Sequence, residues 1–483
     1  MASENEPMFP LKLLVDKERN HVVVAEATGD FVDILFSFLT LPLATIIRLI
    51  SKKPPAAEIG CIGNLYNSVE YFDTDDFWNH ICKQMLLCPR NPCDALCQKL
   101  KLNLEYDKEP MKYFMCSSCR GNKNDWLLST FAETTCTCGK LMNQEMKLED
   151  SIEEVDQVNG VFVKGEAMYL IFDDLKVMKG SLSNSLQHLI QLGYKDLSNL
   201  IDISPKVGLN EILDLLKQAL TSKSPLTGTF LANVESKPME PFCPQLGAKL
   251  EARNCKMNLK ITVSKSNNKI LYAEVDEDFI DFLLSFLTIP LGSILNLLDG
   301  NSSVGCIDNL YRSVESLNPW CQASCTLLLD PRVAPQFGCQ NQPLNMAEQD
   351  PPFYWFGTGV MYRNHICHSV NKGVISRRRH LIKNPEAMKL FDPRSPDGTK
   401  AIGFVKRPAV FAVSDDLRIT PLTSNSSIFF LQKLNIPLDD MDRHVVSIGE
   451  TEALNLLRAS LTSKAALTDG LFLLLKKPKE EIN

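Results

Sequence analysis

The chain has 483 residues, of which 45% are hydrophobic and 23% are charged, and its formal net charge is -7 with a sequence pI near 5.7. This composition is typical of a globular protein with two or three cores, and it argues against extended disorder. The negative charge provides no global attraction to nucleic acid or anionic lipid, so either kind of binding would need a local basic patch.

The N-terminus, MASENEPMFP, lacks the basic and apolar regions of a secretory signal, so we expect an intracellular protein of the cytoplasm or the nucleus. In a reducing compartment the 16 cysteines should be buried thiols or metal ligands rather than disulfides. Residues 1–10 and 476–483 are predicted to be disordered. Residues 31–50 form an apolar run that contains Asp33 and Arg48, which favours a buried helix over a membrane span.

The chain contains an internal duplication. Three segments recur in the same order: DFVDILFSFLTLPL (residues 30–43) as DFIDFLLSFLTIPL (278–291), GCIGNLYNSVE (60–70) as GCIDNLYRSVE (305–315), and ALTSK (219–223) as SLTSK (460–464). We therefore predict two tandem homologous halves, residues 11–234 and 259–475, joined by a linker at residues 235–258.

Each half begins with two β-type runs around a polar turn, LKLLV-KERN-HVVVAEA in the first and LKITV-KSNN-KILYAEV in the second, which predicts a hairpin. Asp30 and Asp33 follow the first hairpin and are expected to be the N-cap and a first-turn carboxylate of a long apolar helix. Pro42 and its counterpart Pro290 should kink or break that helix in both halves.

The later part of each half predicts further helices and a second hairpin. Residues 61–69 are expected to form a short helix, and residues 160–180 and 403–422 each contain two β-rich runs around an Asp-Asp turn. Apolar residues at spacings of three and four predict helices over residues 182–192 and 209–220. The predicted fold class is therefore α+β, in two copies.

The strongest chemical pattern lies in the first half only, where Cys116 and Cys119 are followed by Cys136 and Cys138. Two close pairs of thiols suit tetrahedral Zn²⁺, although a typical ribbon has two residues between the members of each pair and the second pair here has one. We predict a structural zinc in a zinc-ribbon-like insertion at about residues 113–142. Four reduced surface cysteines and a redox dithiol are the alternatives.

Gly139 is expected to donate its backbone N–H to one of the sulfur atoms. In the second half, Gly357 and Val360 align with Cys116 and Cys119, so the corresponding insertion is predicted to be degenerate. The metal-binding residue types that remain nearby are His365, Cys367 and His368.

Other cysteines are interpreted as packing residues. Cys88, Cys93 and Cys97 have a spacing that fits one helical face, and we expect core or partly exposed thiols. Cys61 and Cys306 occupy matching positions in the two halves, which also favours a role in packing.

The sequence predicts no catalytic residue and no site for an organic cofactor. None of the seven histidines is matched between the halves, and nucleophile-elbow, Walker A and dinucleotide-binding motifs are absent from the sequence. Glu26 with Asp30, and Glu274 with Asp278, have the residue types of an acid and a base. Helix capping and hairpin ends explain these carboxylates without catalysis, and we favour that interpretation.

The basic run of Arg377, Arg378, Arg379, His380 and Lys383 has two interpretations. It can be a nuclear-localisation or phosphate-binding patch, or a solvated loop. The absence of aromatic residues between these arginines favours the loop, because base stacking needs aromatic rings.

The repeated DF-x-D-x-L-x-SFLT-x-PL and GCI-x-NLY-x-SVE segments, the cysteine pairs and the LTSK motif together resemble the plant-specific domain-of-unknown-function family numbered 674, over nearly the whole chain. The resemblance implies no activity, substrate or catalytic residue. We interpret the chain as a non-enzymatic interaction or scaffold protein with one structural zinc and protein partners, and expect no binding to membranes. The first alternative is a nucleic-acid-associated zinc protein, and the second is an enzyme of unknown reaction.

Overall fold

In the computed structural model, the described residues are 8–52, 59–105, 109–119, 126–149, 160–231, 256–317, 322–362, 365–395, 403–422 and 424–475. The predicted linker lies outside them up to residue 255, and the predicted disordered C-terminus at residues 476–483 lies outside them entirely. Of the predicted disordered N-terminus, residues 1–7 lie outside, whereas Phe9 begins the first strand.

The described residues form a mixed α+β fold with several sheets, as the sequence predicts. The strands are β1 (Phe9–Asp16), β2 (His21–Thr28), β3 (Tyr113–Met115), β4 (Trp126–Leu128), β5 (Thr134–Thr135), β6 (Leu141–Met142), β7 (Gln144–Met146), β8 (Met168–Phe172), β9 (Val177–Lys179), β10 (Leu200–Ile203), β11 (Lys206–Val207), β12 (Met257–Ser264), β13 (Lys269–Asp276), β14 (Tyr354–Tyr362), β15 (His365–Ser376), β16 (Glu386–Leu390), β17 (Val410–Ser414), β18 (Ile419–Pro421) and β19 (Met441–Ile448).

The helices of the described ranges include all those predicted from the apolar spacing. They are α1 (Gly29–Ser37), α2 (Leu43–Ser51), α3 (Ile62–Tyr71), α4 (His80–Leu87), α5 (Asp94–Cys97), α6 (Leu182–Gln191), α7 (Leu209–Thr221), α8 (Pro225–Phe230), α9 (Glu277–Ser285), α10 (Leu291–Leu297), α11 (Ile307–Ser316), α12 (Thr326–Leu329), α13 (Ser424–Leu434), α14 (Glu450–Thr462), α15 (Ala466–Gly470) and α16 (Phe472–Leu475).

Two antiparallel sheets have the same arrangement of strands. The first has the order β10-β1-β2-β8-β9, with β11 also paired to β1, and the second has the order β19-β12-β13-β17-β18. The opening hairpins both contain a register irregularity, between Leu14 and Val15 in the first and between Thr262 and Val263 in the second. The predicted opening hairpins and Asp-Asp hairpins are confirmed.

The apolar helix is interrupted at the same point in both halves. After α1, residues 38–40 form a 3₁₀ turn and α2 begins after Pro42; α9 and α10 are interrupted in the same way at Pro290. Proline has no N–H for the helix ladder and holds the preceding residue in an extended conformation. The two interruptions lie together, because Leu43 N–H donates to the carbonyl of Ile289 at 3.2 Å and Leu291 N–H to that of Leu41 at 3.0 Å.

One apolar core extends through both halves. It includes the fully buried rings of Phe31 and Phe36 from α1 and of Phe282 and Phe286 from the second half. α3 packs against β18, and α11 packs against β9, so each of these helices lies against the sheet of the other half. The buried-helix interpretation of residues 31–50 is confirmed, and no helix of the described residues is long and apolar enough to cross a membrane.

The diverged segments of the two halves meet in a separate unit, the insertion module (residues 109–119, 126–149 and 354–395). β4 pairs in parallel with β16, and Phe391 N–H donates to the carbonyl of Leu128 at 2.8 Å. The rings of Tyr113 and Tyr354 lie 5.4 Å apart in an apolar cluster of their own. Segments that the sequence presents as two separate insertions therefore fold together.

The prediction that Cys88, Cys93 and Cys97 share a helical face is wrong. Cys88 is exposed at the end of α4, whereas Cys93 precedes the separate four-residue helix that ends at Cys97. Pro89, between the two helices, prevents a continuous ladder. Cys93 and Cys97 are buried, as expected for packing residues.

Candidate metal centre

Two short turns hold the four cysteines of the predicted zinc site. Cys116 directly follows β3 and begins the turn that contains Cys119, while Cys136 and Cys138 lie in the turn between β5 and β6. The second turn is closed by the N–H of Gly139, which donates to the carbonyl of Cys136 at 2.8 Å. The expected bond from Gly139 to a sulfur atom is therefore wrong: the residue has φ of +80°, and its N–H serves the turn itself.

The four sulfur atoms meet at one place. Cys116 Sγ lies 3.5 Å from Cys138 Sγ, Cys119 Sγ lies 3.7 Å from Cys136 Sγ, and all four atoms lie within 4.8 Å of one another. Zn–S bonds of about 2.3 Å in tetrahedral geometry separate the sulfur atoms by about 3.8 Å. The cluster therefore has the residue types and the spacing to hold a metal ion such as zinc.

The electrostatic surroundings of the four thiols differ. Cys116 and Cys136 are buried, Cys119 is half-buried and Cys138 is exposed. The N–H of Lys140 and hydrogen bonds with the other thiols lower the pKa of Cys138 to about 7. The pKa of Cys119 is raised, first by its hydrogen bond with Cys138 and then by burial. One member of the cluster thus favours the thiolate that a metal ion requires.

Apolar side chains from both halves surround the sulfur atoms. Met142 and Phe391 are buried against Cys116 and Cys136, and Phe391 belongs to the second half. A cavity of about 10 Å³ lies between three of the cysteines and the side chains around them. A space of this size holds about one water molecule or ion and no organic ligand.

The second half has no room for an equivalent ligand. A Cβ atom added at Gly357, the residue aligned with Cys116, would lie 2.1 Å from Ile382 Cγ2 and 2.4 Å from the carbonyl oxygen of Lys383. The side chains of His365, Cys367 and His368 lie outside the described residues, so at these positions the degeneracy of the second insertion stays a prediction.

The comparisons with known proteins identify the family. The family model described as "Protein of unknown function (DUF674)" matches residues 5–451. The chain belongs to the DUF674 family. No curated protein and no solved structure matches it. The resemblance inferred from the repeated motifs is confirmed.

Two buried carboxylates of this DUF674 chain accept backbone N–H groups from distant segments. The roles predicted for Asp30 and Asp33 are wrong: Thr28 is the N-cap of α1, Asp30 lies in its first turn, and Asp33 lies beyond that turn. The carboxylate of Asp33 accepts the N–H groups of Val161, Phe162 and Val163 at 2.6 to 2.9 Å. Burial raises the pKa of Asp33 to about 6, although the three N–H groups oppose the shift. The DF-x-D motif in both copies was the signal that could have indicated this role.

The corresponding Asp281 is held differently. It accepts the N–H groups of Phe404 and Val405 at 2.8 and 3.1 Å, and it forms an ion pair with Arg407 at 3.0 Å. Its pKa is also raised to about 6, with burial as the main cause. Arg407 occupies the position of Gly165 in the first half, so this ion pair has no counterpart there.

The four carboxylates considered as an acid and a base do not converge. Glu26 lies opposite Lys12 in the β1–β2 register. The other three have basic partners: Asp30 with Lys101, Glu274 with Lys260 at 2.9 Å, and Asp278 with Arg407 at 2.6 Å. Asp30, Glu274 and Asp278 of this chain are therefore each paired with a basic side chain, and Asp278 shares Arg407 with the buried Asp281.

An open cavity of about 310 Å³ lies beside the turn of the β12–β13 hairpin, with Lys269, Ser414, Asp415 and Lys464 among its lining residues. None of those four carboxylates lines it, and its lining residues include no histidine or cysteine. Asp415 is engaged by Thr468, whose N–H and hydroxyl donate to it at 2.7 and 2.9 Å. Ser414 donates its hydroxyl to the carboxylate of Asp416, another lining residue, at 2.5 Å within the Asp-Asp turn.

The basic run is exposed at Arg377, Arg379, His380 and Lys383, as a solvated segment should be. No aromatic residue lies between these arginines in the sequence, but an aromatic ring from another strand lies next to them in the fold. The guanidinium of Arg379 lies 5.2 Å from the centre of the Trp355 ring, which comes from the neighbouring β14. The run is therefore part of the surface of the insertion module.

Proposed function

We propose that this protein acts by binding a protein partner, as an interaction or scaffold protein, and that one zinc ion in the Cys116, Cys119, Cys136 and Cys138 cluster stabilises the binding surface. The observation that supports the zinc site is the convergence of four cysteine sulfur atoms. An ion bound by four thiolates has no open coordination position, so its role is to hold the fold together.

The position of the cluster supports a structural role for the metal. β5 and β6 have two residues each, and strands this short cannot hold a turn by themselves. A bound ion would fix the turns of Cys116 and Cys136 relative to each other. Phe391 packs against the same cysteines, so the ion would also stabilise the contact with the second half.

We further propose that the two halves are tandem homologous copies, residues 11–234 and 259–475. The shared order of strands, the proline interruption and the matched hairpin irregularities support this relation. Superposition of residues 11–231 on residues 259–473 tests it: the DFVDILFSFLT and DFIDFLLSFLT helices should take the same place on their sheets. Different placements would contradict a duplication.

The proposed partner surface is the insertion module, where the two halves differ most. Three large apolar side chains are exposed on it or next to it: Met111, Leu141 and Phe353, the last with 80% of its surface exposed. Exposed apolar groups on irregular segments of a shared scaffold are typical of recognition surfaces.

Metal analysis tests the zinc site. Purified protein should contain about one zinc per chain. Cys119→Ser should lower the content, whereas Cys88→Ser, which changes an exposed cysteine outside the cluster, should not. Zinc retained after replacement of all four cysteines by serine would exclude these ligands.

Affinity capture tests the partner surface. The triple variant Met111→Gln, Leu141→Gln, Phe353→Ser should lose proteins that the intact chain retains. Leu182→Gln removes a leucine of α6, outside the module, that is 87% exposed against 49% for Leu141, and it should lose none. Equal capture by both variants, or turnover of a small molecule by the protein, would contradict a binding role for this surface.

A nucleic-acid partner is the second candidate, and the exposed Arg379, whose guanidinium lies 5.2 Å from the centre of the Trp355 ring, favours it. Binding of single-stranded RNA should then weaken steeply with salt, and Arg379→Ala should weaken it further. Lys12→Ala, on the distant β1, is the control. An affinity that is unchanged by both salt and Arg379→Ala would exclude this candidate.

We also place the protein inside the cell. The cysteines recorded in the described residues are free thiols, and a thiolate metal site persists best in a reducing compartment. Imaging of a tagged chain would distinguish cytoplasm from nucleus.

A further inference from the structure

The GCI-x-NLY-x-SVE segments, residues 60–70 and 305–315, lie at the contact between the halves, and we name them the docking segments. Cys61 N–H donates to the carbonyl of Ser460 at 2.8 Å, and the thiol of Cys61 donates to the carbonyl of Ser463 at 2.8 Å. The second docking segment makes the equivalent bonds to the first half. Cys306 N–H donates to the carbonyl of Ala219 at 2.8 Å, and the Cys306 thiol donates to the carbonyl of Ser222 at 3.2 Å.

The polar residues of the docking segments are equally reciprocal. Asn64 donates its side-chain amide to the carbonyl of Asp416 at 2.8 Å, and Ser68 Oγ accepts the N–H of Ile419 at 3.0 Å. The second docking segment makes the matching bonds to the first half. The side-chain amide of Asn309 donates to the carbonyl of Asp174 at 3.0 Å, and Ser313 Oγ accepts the N–H of Val177 at 2.9 Å. The repeated Cys, Asn and Ser of the motif thus all bind the opposite half.

The glycine of the motif permits the close approach. Gly60 has φ of +48°, and a Cβ atom there would lie 2.4 Å from the carbonyl oxygen of Ser460. Gly305 has φ of +50°, and its Cβ would lie 2.2 Å from the carbonyl oxygen of Ala219. Any other residue would be strained at both positions and would push the halves apart.

Each half also contains the surface that receives a docking segment. In the first half this receiving surface is the end of α7 with the Asp-Asp turn before β9, and in the second it is the end of α14 with the turn before β18. The docking residues that make the bonds are identical in the two segments, and most of their partners are backbone groups. Either segment therefore presents the donors and the acceptor that match either surface.

We propose that the docking segments make the two halves mutual ligands, so that a first half separated from its second half binds a second copy of itself by reciprocal exchange of α3. The contact is isologous, which is the geometry of a closed two-fold pair. This inference rests on the proposed relation between the halves and is independent of the metal site.

In the intact chain the two halves are joined, and their effective concentration for each other is on the order of millimolar. Pairing within the chain therefore outcompetes pairing between chains. Cleavage between the halves removes this advantage while leaving every docking contact intact.

The experiment uses the full chain with a specific protease site inserted between residues 244 and 245. After cleavage, the two fragments should elute together as a 1:1 complex. Cleaved protein whose first half is isotope-labelled and tagged is then equilibrated with unlabelled cleaved protein in mild urea. Capture of the tag should retrieve both unlabelled second half and unlabelled first half, as measured by mass spectrometry. Fragments that separate on cleavage, or capture that retrieves no unlabelled first half, would overturn the proposal.

Variants within α3 and its entry show whether the retrieved pairs use the docking segment. Asn64→Ala should reduce retrieval of unlabelled first half about fivefold, the effect of one hydrogen bond. Asn67→Ala, exposed on the same helix, should leave it unchanged. Gly60→Ala should abolish retrieval, and Gly63→Ala, which has no atom within 4 Å of its added Cβ, should not. Equal retrieval by Asn64→Ala and Asn67→Ala would contradict docking through α3, even where Gly60→Ala fails to fold.

Discussion

Cys116 and Gly357 are aligned positions in the two halves, and their surroundings have become incompatible. The strand before Cys116 ends in an open turn where a thiol can meet three others. At Gly357 the strand β14 continues, and the segment at Ile382 and Lys383 crosses so closely that a Cβ does not fit. The two aligned positions therefore differ in the backbone around them as well as in their side chains, so Gly357→Cys alone would not create a ligand position.

The docking segments show the opposite behaviour. Their glycine, cysteine, asparagine and serine occur in both halves and make the same bonds in both directions. A change in one half would leave a buried polar group of the other half without a partner, at a cost of about 1 to 3 kcal/mol. The comparison indicates that contacts between the halves restrain the sequence of the docking segments. The two insertions contact each other instead, so a substitution in one can be accommodated by a substitution in the other.

Removal of the proposed zinc ion is the strongest test of this contrast. Structural zinc in small thiolate sites contributes an apparent binding free energy of about 10 to 16 kcal/mol. With a chelator present, amide exchange in β3, β5 and β6 should become about 100-fold faster or more, because these strands would lose the proposed ion that joins their turns. Hydrogen-exchange mass spectrometry measures this effect.

Peptides from β12 and β13 provide the internal control for the chelator experiment. They belong to the main core, so their exchange should be unchanged. Equal acceleration in both regions would show that the cysteine cluster stabilises the whole fold rather than the insertion module, and the contrast between the regions would be lost.

Substitution of Gly357 tests the second half directly. Gly357→Ala should lower the free energy of unfolding by about 2 to 3 kcal/mol, because the added Cβ overlaps Ile382 and the Lys383 carbonyl. Gly139 lies in the turn that contains Cys136 and Cys138, and a Cβ atom added there contacts no other atom. Gly139→Ala should therefore lower the free energy of unfolding by only about 1 kcal/mol, the cost of its positive φ. Urea unfolding at fixed zinc concentration measures both. A smaller effect at Gly357 than at Gly139 would mean that the second insertion can still accept a side chain.

Elements with a local cause were predictable from the sequence. The hairpins follow from alternating apolar residues around polar turns, the helix interruption from Pro42, and the cysteine cluster from the spacing of Cys116 to Cys138. Contacts between distant segments were not. No local pattern shows which N–H groups, about 130 residues away, donate to Asp33, or that β4 pairs with β16, because the donors and the strand partners are backbone groups that any residue supplies.

The smallest expected effect concerns the buried carboxylate Asp33. Its pKa in the folded protein is about 6, raised from 3.8. A carboxyl group whose pKa is raised by folding stabilises the folded state fully below its unfolded pKa, and this contribution is lost as the pH rises through 6. Asp33→Asn cannot titrate and loses the bond from Val161, because its amide group is a donor where the carboxylate accepts.

The variant should therefore be less stable than the parent near pH 4.5, and the gap should narrow by about 1 to 3 kcal/mol as the pH rises to 7.5. Urea unfolding across this range measures the gap. Asp75→Asn changes an exposed carboxylate and should show a constant difference from the parent. A gap that stays constant or widens with pH for Asp33→Asn would mean that the three N–H groups outweigh burial. In that case three N–H groups alone would keep Asp33 ionised in the first half. The ion pair of Asp281 with Arg407 in the second half would then not be needed to keep a buried carboxylate ionised at this position.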